Sequence, residues 1–120
     1  MTIQITPDRI IKEIQKEFNE EFPFLKIEFF QKGIKYKAKK RNESLSKELT
    51  LGNVKMFDFK EDLKITGSMT VIELERTFED LLGLSVLVYR KSGKLWLETT
   101  MTDNWTLEQQ NENGRQISGW

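Results

Sequence analysis

The chain has no cysteine and no histidine among its 120 residues. The first absence removes disulfides, thiolate metal sites and cysteine nucleophiles together. The second removes the commonest general base and the commonest metal ligand. Prolines number only two, and the seven glycines (Gly33, Gly52, Gly67, Gly83, Gly93, Gly114, Gly119) are isolated from one another, so no glycine-rich phosphate loop exists. An excess of one charge is also lacking, since 19 Lys plus Arg balance 19 Asp plus Glu. The sequence pI of about 6.4 argues against a dedicated nucleic-acid binder, whose pI is expected to be well above it. The most apolar stretch, Leu81 to Tyr89, is interrupted by Gly83 and Ser85. It is too short to span a bilayer. With no signal-peptide core after Met1, the expectation is a cytoplasmic protein without membrane contact.

What the chain does contain is a packed-core composition. Its 13 aromatics (Phe 8, Trp 3, Tyr 2) offset a charged fraction of 32% that could otherwise suggest disorder. The length fits a single domain.

Two parts of the sequence track each other. With Ile5-Thr6 set over Ile65-Thr66, Ile11 falls on Val71, Glu13 on Glu73, Ile14 on Leu74, Phe18 on Phe78 and Phe22 on Leu82. After the loss of one residue, Leu25, Ile27 and Phe29 fall on Leu84, Val86 and Val88. The halves read as about 5–49 and 65–112, joined by a connection at about 50–64. Each opens with a helix of period 3.6. In the first, Ile10, Ile11, Ile14, Phe18 and Phe22 form the apolar stripe, with Thr6 as N-cap, Pro7 in the first turn and Pro23 as stop. In the second, Val71, Leu74, Phe78, Leu81 and Leu82 form it, with a Thr70–Glu73 capping box and Gly83 as stop.

Each helix leads into a predicted hairpin of period 2. The first runs Leu25–Gln31, turns at Lys32-Gly33 and returns as Ile34–Lys39. The second turns at Ser92-Gly93, placing Val88 opposite Leu97 and Val86 opposite Thr99 inside, and Tyr89 opposite Trp96 outside. A short helix is expected after each hairpin, at Ser44–Leu49 and Thr106–Gln110, the latter opened by Asp103 or Thr106 and closed by Gly114; Val54–Phe59 and Leu63–Ile65 could add short strands. The expected fold is α+β, a two-layer sandwich made of a tandem α-β-β pseudo-repeat. It would hold a four-stranded antiparallel sheet with two helices on one face.

Candidate chemistry is sparse. Ser46-Lys47 and Ser92 near Lys94 are the available Ser–Lys pairings, and they fall in a polar connection and a tight turn. Asp58, Glu61 and Asp62 alternate with lysines as ordinary solvated charge rather than as metal ligands. No catalytic, cofactor-binding or metal residue is assigned, and the chain is read as not an enzyme.

Charge is nevertheless uneven. From Lys32 to Lys47 seven cations face Glu43 alone, a local excess of +6. Lys35, Lys37 and Lys39 alternate with apolar residues, which places them on the outer sheet face with Phe30, Leu87, Tyr89 and Trp96. An apolar group of this type carries interface energy, so the principal expectation is a protein-interaction module that self-associates through that face or binds a partner protein. The alternative is a single-stranded nucleic-acid binder, with aromatics stacking bases and lysines meeting phosphates. A bland reading of the same residues is edge-strand lysines plus a stabilising cross-strand aromatic pair, covered by the C-terminal tail with Trp105, Ile117 and Trp120.

The segments Trp96–Asn111, Phe22–Phe30 and Ser68–Leu74 resemble a family of small uncharacterised bacterial proteins. That resemblance implies a bacterial cytoplasmic protein and brings no activity, ligand or catalytic residue with it.

Overall fold

A computed structural model of the chain describes residues 1–31 and 44–119. The predicted returning strand Ile34–Lys39, with Lys35, Lys37 and Lys39, and the terminal Trp120 lie outside the described residues.

Strand β1 (Thr2–Ile5) leads through a turn into α1 (Ile11–Glu21), and β2 (Leu25–Gln31) follows. A one-turn helix α2 (Leu51–Val54) and strand β3 (Glu61–Lys64) precede α3 (Val71–Leu82). Strands β4 (Leu84–Ser92) and β5 (Leu95–Glu98), a 3-10 turn at Thr100–Thr102 and helix α4 (Leu107–Ile117) complete the chain. The fold is α+β, as expected. Among the described residues it holds two antiparallel sheets, β2-β4-β5 and β1-β3, rather than one sheet of four strands.

The β1–β3 pairing was not legible in the periodicity, because each strand has only four residues. Ile3 and Ile5 are nonetheless fully buried, and Ile3 pairs with Leu63. On β2, the carbonyls of Leu25 and Ile27 accept from Asn19 Nδ2 (2.8 Å) and Gln15 Nε2 (2.9 Å), and that of Phe29 accepts from the Leu45 amide (2.7 Å). Side chains of α1 and the Leu45 amide therefore serve the three β2 carbonyls that face away from β4.

One core cluster gathers Ile11, Ile14 and Phe18 of α1, Val71, Leu74, Phe78 and Leu82 of α3, and the inward residues of both central strands. Strand parity is as read from the sequence: Ile27, Phe29, Val86 and Val88 enter this cluster, while Phe30, Leu87 and Tyr89 form a second one on the opposite face. Ile27 pairs with Val88 and Phe29 with Val86.

Four expectations are corrected. The first helix begins at Ile11 with Ile10 as N-cap, not at Thr6-Pro7. Its leading amides need no side-chain cap, because Ile11 N donates to Leu49 O (2.9 Å) and Lys12 N to Lys47 O (2.9 Å). The second hairpin turns at Gly93-Lys94, with Ser92 opposite Leu95. Gly93 has φ 62°, which suits the first position of a tight hairpin loop, so the register moves by two residues and Tyr89 faces Glu98 while Lys91 faces Trp96. Helix α4 does not close at Gly114 but runs on to Ile117, and the expected helix at Ser44–Leu49 is instead a turn before α2.

The second helix follows expectation throughout. Thr70 and Glu73 form a reciprocal capping box, and Gly83 ends the helix at φ 66° in the left-handed region that favours glycine.

Candidate interaction surface

The outer face of the β2-β4-β5 sheet is only partly open. Phe30 is 1% exposed, and Leu87 and Tyr89 are each 5% exposed, so three of the predicted surface residues are buried. Trp96 packs against them and remains half-buried. The structure thus brings Phe30, Leu87, Tyr89 and Trp96 together, but leaves the indole as the accessible aromatic of the four. Among the described residues, α4 lies on the inward side of the sheet, where Arg90 reaches Gln110.

Two lysines hold the indole between them. Lys26 Nζ lies 5.0 Å from the Trp96 ring centroid and 5.5 Å from that of Tyr89, and Lys91 Nζ lies 5.9 Å from Trp96. Cations over ring faces are held by the ring quadrupole. The two-residue change of register makes this possible, since it puts Lys91 rather than Tyr89 directly across from Trp96.

Trp96 also borders a groove of about 470 Å³ lined by Lys12, Lys16, Lys26 and Lys47 with Gln15, Asn19 and Glu28. Helix α1 contributes its polar face here because the stripe Ile11, Ile14, Phe18 faces the core, so Lys12 and Lys16 turn outward. Lys12 pairs with Glu48 at 2.8 Å; that hydrogen bond holds the Lys12 ammonium above the usual lysine range and the Glu48 carboxyl below the usual carboxylate range. Glu28 Oε2 is buried in the groove wall without a hydrogen-bond partner among the described residues. The lysines of α1 were not singled out in the sequence, where the basic run Lys32–Lys47 dominated; only Lys47 of that run lines the groove among described residues.

A larger open hollow of about 700 Å³ follows α4, lined by Trp105, Glu108, Gln109 and Glu112 among others. Among the described residues no Lys or Arg lines it. Among the described residues no group of three His, Cys, Asp or Glu side chains is placed to hold a metal ion, and no helix is long and apolar enough to cross a membrane.

No family model matches this sequence, and no curated protein or solved structure is significantly similar to it. The surface therefore has to be read from its own chemistry.

Proposed function

We propose that the protein is a non-catalytic interaction module that takes an acidic segment of a partner protein in the lysine groove beside Trp96. The observation that carries this reading is the groove itself, where four lysines and a cation-flanked indole line one hollow with Glu28, Lys12 also pairing with Glu48. Acidic side chains would meet Lys12, Lys16, Lys26 and Lys47, the indole would supply apolar contact, and a peptide N–H would satisfy Glu28 Oε2. A bacterial, cytoplasmic setting is part of the same proposal.

The reading departs from self-association through the outer face, because Phe30, Leu87 and Tyr89 are already buried within the chain. A single-stranded nucleic acid is the second reading, favoured by Trp96 between two cations. It is disfavoured by the burial of Phe30 and Tyr89, which among the described residues leaves no row of aromatics on this face for successive bases.

We also infer that the two halves are repeats of one structural unit. Support comes from matched backbone hydrogen bonds. Ile11 N and Lys12 N donate to Leu49 O and Lys47 O, and Val71 N and Ile72 N donate to Trp105 O and Asp103 O. Leu51 N and Gly52 N donate to Arg9 O and Pro7 O, and Leu107 N and Glu108 N donate to Met69 O and Gly67 O. Thr50 and Thr106 each build a capping box at the equivalent place.

Fluorescence anisotropy with a labelled hexaglutamate peptide and a labelled oligothymidylate tests the functional reading. The peptide is expected to bind at low salt, with affinity reduced by about tenfold on joint replacement of Lys12, Lys16 and Lys47 by Gln. Tighter binding of the oligonucleotide would install the second reading, and no binding of either probe at low salt would overturn both.

A further inference from the structure

The edge of β5 that faces away from β4 carries a separate message. Its pairs with β4 are Arg90 opposite Leu97 and Ser92 opposite Leu95, and Thr99 N continues the ladder to Val88 O at 3.2 Å. Alternate residues of an antiparallel strand turn their N–H and C=O groups to opposite sides. With Leu95, Leu97 and Thr99 committed to β4, the main-chain groups of Trp96 and Glu98 are directed to the other edge. Among the described residues no strand pairs with that edge. Beside it Leu95 is 67% exposed and Leu97 42% exposed. An open edge flanked by bare leucines is a template for another strand.

We propose that this edge pairs antiparallel with β5 of a second copy of the chain, with Trp96 on the two-fold axis. That register sets Leu95 against Leu97 of the other copy, and Lys94 against its Glu98, each pair occurring twice. It is also a register that parity permits, because it brings the unpaired groups of the two Trp96 residues face to face. A slip of one residue would aim them at groups already bonded to β4, and a slip of two would break both charge pairs. The paired edges join two three-stranded sheets into one sheet of six strands. This dimer shares Trp96 with the lysine groove but uses none of its lysines, so either proposal can fail without the other.

The absence of cysteine makes a direct test clean. A hydrogen-bonded antiparallel pair holds its Cα atoms about 5.5 Å apart, within disulfide reach. Trp96→Cys under mild oxidation should therefore yield a covalent dimer, whereas Met101→Cys, at a position 95% exposed, should remain largely monomeric. Sedimentation of charge variants provides a second measurement that leaves Trp96 in place. Lys94→Glu or Glu98→Lys alone should weaken association by about tenfold, and the double exchange should restore it. A wild-type chain that stays monomeric at high micromolar concentration would overturn the proposal. So would a double exchange no better than the single ones, or cross-linking at position 101 as efficient as at 96.

Discussion

Phe29 of β2 and Phe78 of α3 meet edge to face, with ring centroids 5.4 Å apart and ring planes at 90°. Both side chains are fully buried. The contact joins a strand of the first half of the chain to a helix of the second, in the middle of the larger core cluster. Perpendicular rings place the positive edge of one over the negative face of the other, a contribution beyond the area buried.

Truncating this contact should be costly. Phe78→Ala removes the ring and leaves a cavity, for an expected loss of about 3–5 kcal/mol. Domains of this size have about 5–15 kcal/mol in total, so the variant is expected near its folding threshold. Urea unfolding monitored by circular dichroism measures the loss as a lower midpoint at unchanged slope. Met56→Ala, at a residue 96% exposed, should leave the midpoint in place.

Gly114 lies inside α4, where glycine would ordinarily be a weakness. A Cβ built there would stand 2.9 Å from Phe24 Cβ, 3.1 Å from Arg90 Cγ and 3.3 Å from Lys91 O. The helix can approach the β2 and β4 ends because nothing projects at that point. Gly114→Ala should therefore destabilise the fold by about 1–3 kcal/mol despite the better helix propensity of alanine. Thermal unfolding measures it; a stabilised variant would show that α4 can retreat from the sheet at no cost.

This glycine illustrates where sequence reading stops. Strand parity and the helix stripes were legible, because alternation at Leu25, Ile27 and Phe29 and the spacing of Val71, Leu74, Phe78 and Leu82 state which side is buried. Gly114 looked like a helix stop because a close approach between distant segments leaves no local trace. The start of α1 was misplaced for a related reason: Thr6-Pro7 is a good local cap, yet the backbone of Lys47–Leu49 supplies partners from thirty-odd residues away. The hairpin register has the right parity and the wrong step, since glycine suits either loop position and only the pairing of Ser92 with Leu95 puts Gly93 first. At the groove, Lys12 and Lys16 looked like solvated helix charge until β2 and β5 brought Lys26 and Trp96 beside them.

Gln110 is fully buried and joins three segments. Its Oε1 accepts from Arg90 Nη1 at 2.7 Å, and its Nε2 donates to Thr102 O and Thr102 Oγ1, both at 2.8 Å. Arg90 in turn lies over the Trp105 ring, with Cζ 5.7 Å from the centroid. Gln110→Leu would fill similar space but take the Arg90 acceptor away. The expected loss is about 2–3 kcal/mol, because a donor from a charged group is left without that partner. Adding Arg90→Met to the same variant should recover part of the loss, which a double-mutant cycle on unfolding free energies measures. Strict additivity of the two changes would mean that the pair is not coupled.

Two capping boxes of different chemistry give a pH prediction with an internal control. At α3, Glu73 Oε1 accepts from Thr70 N at 3.1 Å and from Thr70 Oγ1 at 2.9 Å. These hydrogen bonds, the backbone one foremost, hold the Glu73 carboxyl below its ordinary 4.5. At α4 the same role falls to the neutral Gln109, whose Oε1 accepts from Thr106 N at 2.9 Å. A carboxyl depressed in the folded state stabilises above its unfolded pKa, and that contribution is lost as pH falls through the folded value. Either Thr→Ala change should cost about 1 kcal/mol at neutral pH. On acidification from pH 5 downward, the cost of Thr70→Ala should shrink as Glu73 takes up its proton, whereas the cost of Thr106→Ala should stay constant. Urea midpoints of both variants and the wild type at a series of pH values measure the two differences. Because Thr70→Ala keeps the backbone hydrogen bond to Glu73, parallel behaviour of the two variants would show that the Thr70 hydroxyl does nothing for the Glu73 charge.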